Sequence, residues 1–171
     1  MIESGGLSED TRVELIDGWV VDMSPRSPEH ENTILWLIRW LRRNLADELD
    51  FLVTGSLTLG NSEPEPDVAI LERRPPALEH PSRALLVIEV ALTSRDRDLR
   101  TKPTIYAPAV AEYWVVDLER RCVVVHRDPA GDGYRDVTVA PRGETIAPRA
   151  VTIAELDTDA LFAAAFAESQ R

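Results

Sequence analysis

Two carboxylates sit inside runs that are otherwise suited only to burial. Asp67 follows Pro66 at the head of Asp67–Leu71, and Glu89 stands between Ile88 and Val90 within Ala84–Val90. Both runs are short, apolar and separated by Gly, Pro and Asn, as strands packed between layers are. An ionised carboxylate in a sheet interior costs several kcal/mol unless a cation or hydrogen-bond donors compensate it. A divalent metal is the most direct compensation. Lys102 follows Glu89 by 13 residues, and two strand-borne acids with a lysine after them form the skeleton of a metal-dependent phosphodiesterase.

The surrounding pattern is that of a mixed α/β chain. Arg12–Ile16 and Trp19–Met23 alternate apolar and polar residues about Asp17-Gly18, which predicts a β-hairpin with a tight turn. Ser27-Pro28-Glu29 supplies a cap, a first-turn proline and an acid for the helix dipole. Ile34, Leu37, Ile38, Leu41 and Leu45 then recur at helical spacing, predicting a helix over residues 28–49. Phe51–Leu59 is a further predicted strand, and Glu72–Ser82 a charged, proline-rich surface loop. Ser94–Ala107 reads as helical, with Pro103 in a first turn or at a kink. Glu112–Asp117 and Cys122–His126 are predicted strands across the Leu118–Arg121 turn, followed by the Asp128–Gly133 turn and the strand Tyr134–Val139. An alanine-rich helix over Leu156–Ala167, packed on a sheet edge, closes the chain.

Length and composition bound what this arrangement can do. With 171 residues, 44% of them hydrophobic, the chain fills one core, so residues 1–171 are expected to form one domain. No apolar run approaches a membrane span, and Met1–Gly6 has neither the basic nor the apolar part of a secretory signal, so a cytoplasmic protein without membrane association is expected. The lone Cys122 rules out an internal disulfide and a cysteine-based zinc cluster, and reads as a small buried hydrophobe in a strand. A net charge of −11 weighs against tight non-specific binding of nucleic acid. Three arginine clusters, Arg39/Arg42/Arg43, Arg73/Arg74 and Arg95/Arg97/Arg100, either border an acidic centre or are solvated surface charges.

The order hairpin, helix, three strands, helix, strand, with carboxylates on the second and third core strands, resembles the PD-(D/E)XK nuclease superfamily. Within it the chain is similar to the Uma-type restriction endonuclease family. The matching residues are Val13-Glu14-Leu15-Ile16-Asp17-Gly18, Met23-Ser24-Pro25, His30, Pro66-Asp67-Val68, Val87-Ile88-Glu89-Val90, Asp98 with Lys102 and Tyr106, and Glu112-Tyr113-Trp114-Val115-Val116-Asp117. Leu92-Thr93-Ser94 and Ala109 depart from the family's usual residues. The resemblance implies a restriction-endonuclease-like core: a central mixed sheet flanked by helices, preceded by the hairpin.

Strand alternation places Val87, Glu89 and Ala91 on one face and Ile88 and Val90 on the other. Ala91 therefore stands where a Glu-x-Lys arrangement would carry its lysine, and the resemblance implies that Lys102 fills that space from the following helix. Asp67 and Glu89 would hold Mg²⁺, with Mn²⁺ as a substitute, and Lys102 would orient the nucleophile or offset transition-state charge. Glu14 matches the family's first acidic position.

Each assignment has a plainer alternative. Asp67 starts a strand after a proline, with Glu63 and Glu65 beside it; Glu14 is an exposed hairpin residue; Lys102 pairs with Asp98 at i, i+4 on a helix surface. If Lys102 is instead catalytic, Lys102→Ala is expected to lower turnover at a nearly unchanged melting temperature. His30 shares the stripe of Ile34, Leu37 and Leu41 and reads as a hydrogen-bonded core histidine rather than a ligand, and Tyr113 and Trp114 read as core and interface aromatics. Two functions remain open: a Mg²⁺-dependent endonuclease acting on DNA, or a non-catalytic dimeric binding or regulatory module with a vestigial acidic site. DNA is the expected partner and a homodimer the expected assembly.

Overall fold

The computed structural model describes residues 12–23, 25–76 and 79–167. The Met1–Gly6 segment, Ser24, and Ala77-Leu78 of the proline-rich loop lie outside the described residues. The chain opens with the expected hairpin, β1 (Val13–Ile16) and β2 (Trp19–Asp22), paired antiparallel with Ile16 opposite Trp19. Asp17 and Gly18 have φ of 50° and 79°, the left-handed pair that a two-residue turn of this hand requires and that Asp-Gly adopts readily.

Helix α1 (Pro28–Asn44) starts where Ser27 Oγ accepts the His30 N–H, with Glu29 and Glu31 in its first turn and Arg42 and Arg43 in its last. Its inward stripe is Thr33, Ile34, Leu37, Trp40 and Leu41. The helix ends at Asn44, short of the expected residue 49: the Leu45 N–H still bonds to the Leu41 carbonyl at 2.8 Å, but Leu45 itself is extended at ψ 135° and takes the chain out of the helix, and the Asn44 side chain folds back to donate to the Trp40 carbonyl.

Six strands form the central sheet: β3 (Asp50–Val53), β4 (Val68–Leu71), β5 (Ala84–Ala91), β6 (Val110–Asp117), β7 (Cys122–Ala130) and β8 (Gly133–Pro141), in that spatial order. Only β5 and β6 run parallel. That pair needs a crossover, which a π-helical turn (Arg97–Thr101) and α2 (Lys102–Tyr106) provide. The expected strand Phe51–Leu59 breaks at Thr54, whose φ is 50°. The chain beyond it runs irregularly to Asp67, with the buried Leu57 bonding through its N–H to the Pro64 carbonyl.

This irregular segment docks the hairpin. Leu15 and Glu63 exchange both backbone hydrogen bonds, Gly18 N–H donates to the Asn61 carbonyl, and Asp17 N–H donates to Ser62 Oγ at 2.9 Å. Glu14 is thereby fixed against the sheet rather than left at the surface.

Two boundaries near the C-terminal half differ from expectation. The Asp128–Gly133 loop is a tight Gly131-Asp132 turn, because β7 continues to Ala130; its ladder with β6 stops at His126, so Pro129 lies beyond it, where a missing N–H breaks no bond. Leu156–Asp157 (β10) pairs with Thr145–Ile146 (β9) instead of starting a helix. Asp157 is the cap of α3 (Thr158–Ala165), accepting from the N–H groups of Asp159 and Ala160. Helix α3 packs against α1 on a sheet face, not on an edge: Leu161, Phe162 and Ala165 join the core of Leu37 and Leu41, and Asn32 donates to the Ala165 carbonyl.

The sheet thus separates two apolar layers. Ile88, Val90, Trp114 and Val116 face α1 and α3, whereas Val87, Ala91, Tyr113 and Val115 face α2. Cys122 and Trp114 are buried as expected. Among the described residues no helix is long and apolar enough to cross a membrane. Leu37 is fully buried and Leu35, on the same helix, is 51% exposed. Leu37→Ala should cost about 3 kcal/mol in urea unfolding, and Leu35→Ala less than about 0.5 kcal/mol; equal effects would contradict this packing.

Candidate active site

The β4–β5 register pairs Val68 with Ile88, so one step outward Asp67 stands opposite Glu89 on the α2 side of the sheet. Two backbone-to-carboxylate bonds tie them: Val90 N–H donates to Asp67 Oδ2 at 2.8 Å, and Asp67 N–H reaches Glu89 Oε2 at 3.4 Å. Both residues are buried. Like charges in opposed strand positions repel, so cations must come from elsewhere in the fold.

Lys102 is the nearest of them. Its Nζ lies 2.8 Å from Glu89 Oε1, 3.3 Å from Glu14 Oε2 and 3.3 Å from Asp98 Oδ1. It is only 4% exposed. The pairing with Asp98 is present, but the surface alternative is overturned, because Asp98 is also buried and both side chains turn inward. The π-helical turn explains how: the Lys102 N–H bonds to the Arg97 carbonyl, five residues back, and Pro103 next to it has no N–H to restore α-helical spacing. As expected, Ala91 is buried on the same face as Glu89; Lys102 reaches Glu89 itself from the crossover segment.

Glu14 is likewise buried rather than exposed, with Arg97 Nη1 3.3 Å from its Oε1. Arg97 also donates to the Asp22 carbonyl and so ties the hairpin to the helical segment. Of the three arginine clusters only Arg97 contacts an acid of this centre among the described residues. Arg95 is committed to Asp117, Arg74 to Asp50, Arg100 to the exposed Asp96, and Arg39, Arg42, Arg43 and Arg73 are exposed.

Three further side chains complete the centre. Tyr106 donates its hydroxyl to Glu89 Oε1 at 2.7 Å. Ser94 bonds Asp98 Oδ2. His30 Nε2 lies 3.2 Å from Asp67 Oδ2, so the residue expected to be an ordinary core histidine borders the site. Tyr113 is a core aromatic, as expected, and donates to the Asp98 backbone carbonyl. Sequence spacing gives neither His30 nor Tyr106 a part in the site; the signals for them are their place among the residues that resemble the family and, for His30, a polar ring on an otherwise apolar stripe.

Four carboxylates therefore meet two cationic side chains, Lys102 and Arg97. Burial pushes the Glu89 carboxyl up from 4.5 to about 8; Lys102 opposes this, and Asp98 and Asp67 add to it. Burial likewise raises Asp98. For Lys102, burial favours the neutral amine, but the combined attraction of Glu89, Asp98 and Glu14 outweighs it and keeps the ammonium charged. Lys102→Ala would strand three buried acids, so the expected nearly unchanged melting temperature does not fit this geometry.

The donor set suits a hard divalent cation. No three His, Cys, Asp or Glu side chains among the described residues are grouped to hold a metal ion. The acids bond within the fold: Glu89 Oε1 is held by Lys102 and Tyr106, and Asp67 Oδ2 by Val90 and His30. The other oxygens are Asp67 Oδ1 and Glu89 Oε2, the latter reached by the Asp67 N–H at 3.4 Å, and two such oxygens would suit Mg²⁺, an ion commonly bound by one or two carboxylates plus water and substrate phosphate. The excess of buried negative charge fits the same ion.

Without metal, Glu89 binds its proton more tightly in the folded chain than in the unfolded one. Its contribution to stability is therefore complete below about pH 4.5 and is lost as pH rises through about 8. In chelator, stability should fall across that window by on the order of 1 kcal/mol per pH unit. Glu89→Gln should flatten this slope; identical pH profiles for the two proteins in urea unfolding would contradict it.

A model of the family Uma2, described as "Putative restriction endonuclease", matches residues 3–159. Among solved structures, "a putative nuclease belonging to DUF820" from Anabaena variabilis superposes with a TM-score of 0.73 at 14% identity, covering 91% of this chain and 92% of that one. This likeness speaks to the fold. No curated protein matches the chain. The family match runs over most of the 171 residues and includes Glu14, Asp67, Glu89 and Lys102, and on it the chain belongs to the Uma2 restriction endonuclease family.

Proposed function

We propose that this chain is a divalent-metal-dependent endonuclease that hydrolyses DNA phosphodiester bonds, with Asp67 and Glu89 holding Mg²⁺ or Mn²⁺ and Glu14 and Lys102 completing the site. The observation that supports this reading most is the buried Asp67–Glu89 pair with the Lys102 ammonium 2.8 Å from Glu89, in a centre with more acid than base. A bound ion would polarise the scissile phosphate and lower the pKa of an attacking water.

The protein's own groups have distinct tasks. Tyr106 and Lys102 hold Glu89 Oε1 and so fix the orientation of this carboxyl, whose Oε2 is reached by the Asp67 N–H at 3.4 Å. Lys102 offsets charge that develops on the phosphate as water attacks in line and the opposite P–O bond breaks. Glu14 holds Lys102 from the hairpin side, and Arg97 adds positive charge at the cleft wall. Arg12 and Arg26 line the same cleft and lie near Glu65, at 2.5 Å and 4.0 Å; they suit the phosphates flanking the reacting one.

The second reading, a non-catalytic dimeric module on the same fold, draws on the net charge of −11, which opposes DNA binding. A homodimer accords with either reading, since the outer strand β8 leaves Val137 and Val139 exposed at 51% and 60%.

Supercoiled, linear and single-stranded DNA, incubated at low salt with Mg²⁺ or Mn²⁺, distinguish the two. Wild type should cleave at least one of them, and Glu89→Gln and Asp67→Asn should each lower turnover by about 100-fold or more while remaining folded. Absence of cleavage by wild type, or equal cleavage by Glu89→Gln, would leave the non-catalytic reading.

A further inference from the structure

His30 lies on the first turn of α1, where Ser27 Oγ accepts its backbone N–H at 3.3 Å and Pro28 starts the helix. Its ring is turned toward the cleft wall, with Nε2 3.2 Å from Asp67 Oδ2. Asp67 precedes β4, so no strand ladder locks its side chain; the locking comes from Val90 N–H and His30, both on Oδ2. An Oδ2 that accepts two donors leaves Oδ1 as the oxygen for a ligand.

The other ring nitrogen supports a functional orientation. His30 Nδ1 is buried and has no hydrogen-bond partner. A histidine kept only for packing normally satisfies both nitrogens, and this one leaves Nδ1 unpaired while keeping Nε2 on Asp67. A carboxylate acceptor at Nε2 places the proton of the neutral ring on that nitrogen. His30 is thus a donor to Oδ2 of an acid that lines the cleft.

We propose that His30 is a positioning residue for the divalent ion: by holding Asp67 Oδ2 it fixes the direction of Oδ1, and so sets the metal affinity of the centre without touching substrate. This rests on the metal-dependent reading given above. Partners of this kind around metal ligands typically change affinity by about 10- to 100-fold when removed.

Calorimetric titration of Mn²⁺ into the DNA-free protein tests this directly, because its readout does not depend on cleavage. His30→Ala should weaken Mn²⁺ binding by about 10- to 100-fold. His30→Gln, whose amide N–H can reach the place of Nε2–H, should recover much of that loss. If the alanine variant fails to fold in chelator, His30→Phe, which keeps a ring and lacks the donor, should show the same weakening. Cleavage at saturating Mn²⁺ should return close to the wild-type rate in each variant, separating metal affinity from chemistry. Wild-type Mn²⁺ affinity in His30→Ala or His30→Phe, or no recovery in His30→Gln, would overturn the inference and leave the proposed function standing. A wild-type protein that binds no Mn²⁺ would overturn both.

Discussion

The contact between Lys102 and Glu89 is the interaction on which the rest of this centre depends. A sheet interior excludes an ionised acid unless a partner reaches it, and the strands themselves offer none, since Ala91 stands two positions after Glu89. The ammonium arrives from outside the sheet, on the crossover that the parallel β5–β6 pair makes necessary. Even so, Lys102 must serve Glu14 and Asp98 as well, and one ammonium and one guanidinium do not neutralise four carboxylates. Burial of an unbalanced acidic group is costly in a folded chain and useful in a site that takes up a cation.

The scaffold converges on that point from three directions. The Asp17-Gly18 hairpin docks through Glu63, Asn61 and Ser62 and delivers Glu14. The Asp67–Glu89 register comes from the antiparallel β4–β5 ladder. The π-helical turn before Pro103 turns Asp98 and Lys102 inward together. Elsewhere a comparable buried acid is fully balanced: Glu112 accepts from Trp114, Arg127 and the N–H groups of Arg149 and Ala150, and so pins the chain beyond β8 to β6. The contrast separates a structural carboxylate from a candidate reactive one. Glu112 has two donors on each oxygen, the Arg127 guanidinium among them, whereas Glu89 shares its cation with Glu14 and Asp98 and stands opposite Asp67.

Features set by near neighbours in the chain are legible in the sequence. Strand alternation places Glu89 opposite in facing to Ile88 and Val90, Asp-Gly specifies the hairpin turn, and Ser27-Pro28-Glu29 marks the start of α1. Features that depend on the local backbone path or on distant partners are not. The end of α1 comes where Leu45 becomes extended; the break after β3 comes at Thr54, with its positive φ. His30 and Asp67 are 37 residues apart, and no periodicity distinguishes a histidine that packs from one that meets an acid across the core. Lys102 is ambiguous in sequence for a related reason: i, i+4 spacing to Asp98 is equally good on a surface and in a buried cluster, and only the packing of α2 against β5 and β6 decides between them.

If the unbalanced acid cluster is a divalent-cation site formed by Asp67 and Glu89, Mn²⁺ will occupy it in the crystal. Anomalous diffraction from crystals soaked in Mn²⁺ would locate the ion. A peak is expected within about 2.5 Å of a carboxylate oxygen of each of these two residues. No peak there at millimolar Mn²⁺, or Mn²⁺ bound only at other acids of the chain, would contradict it.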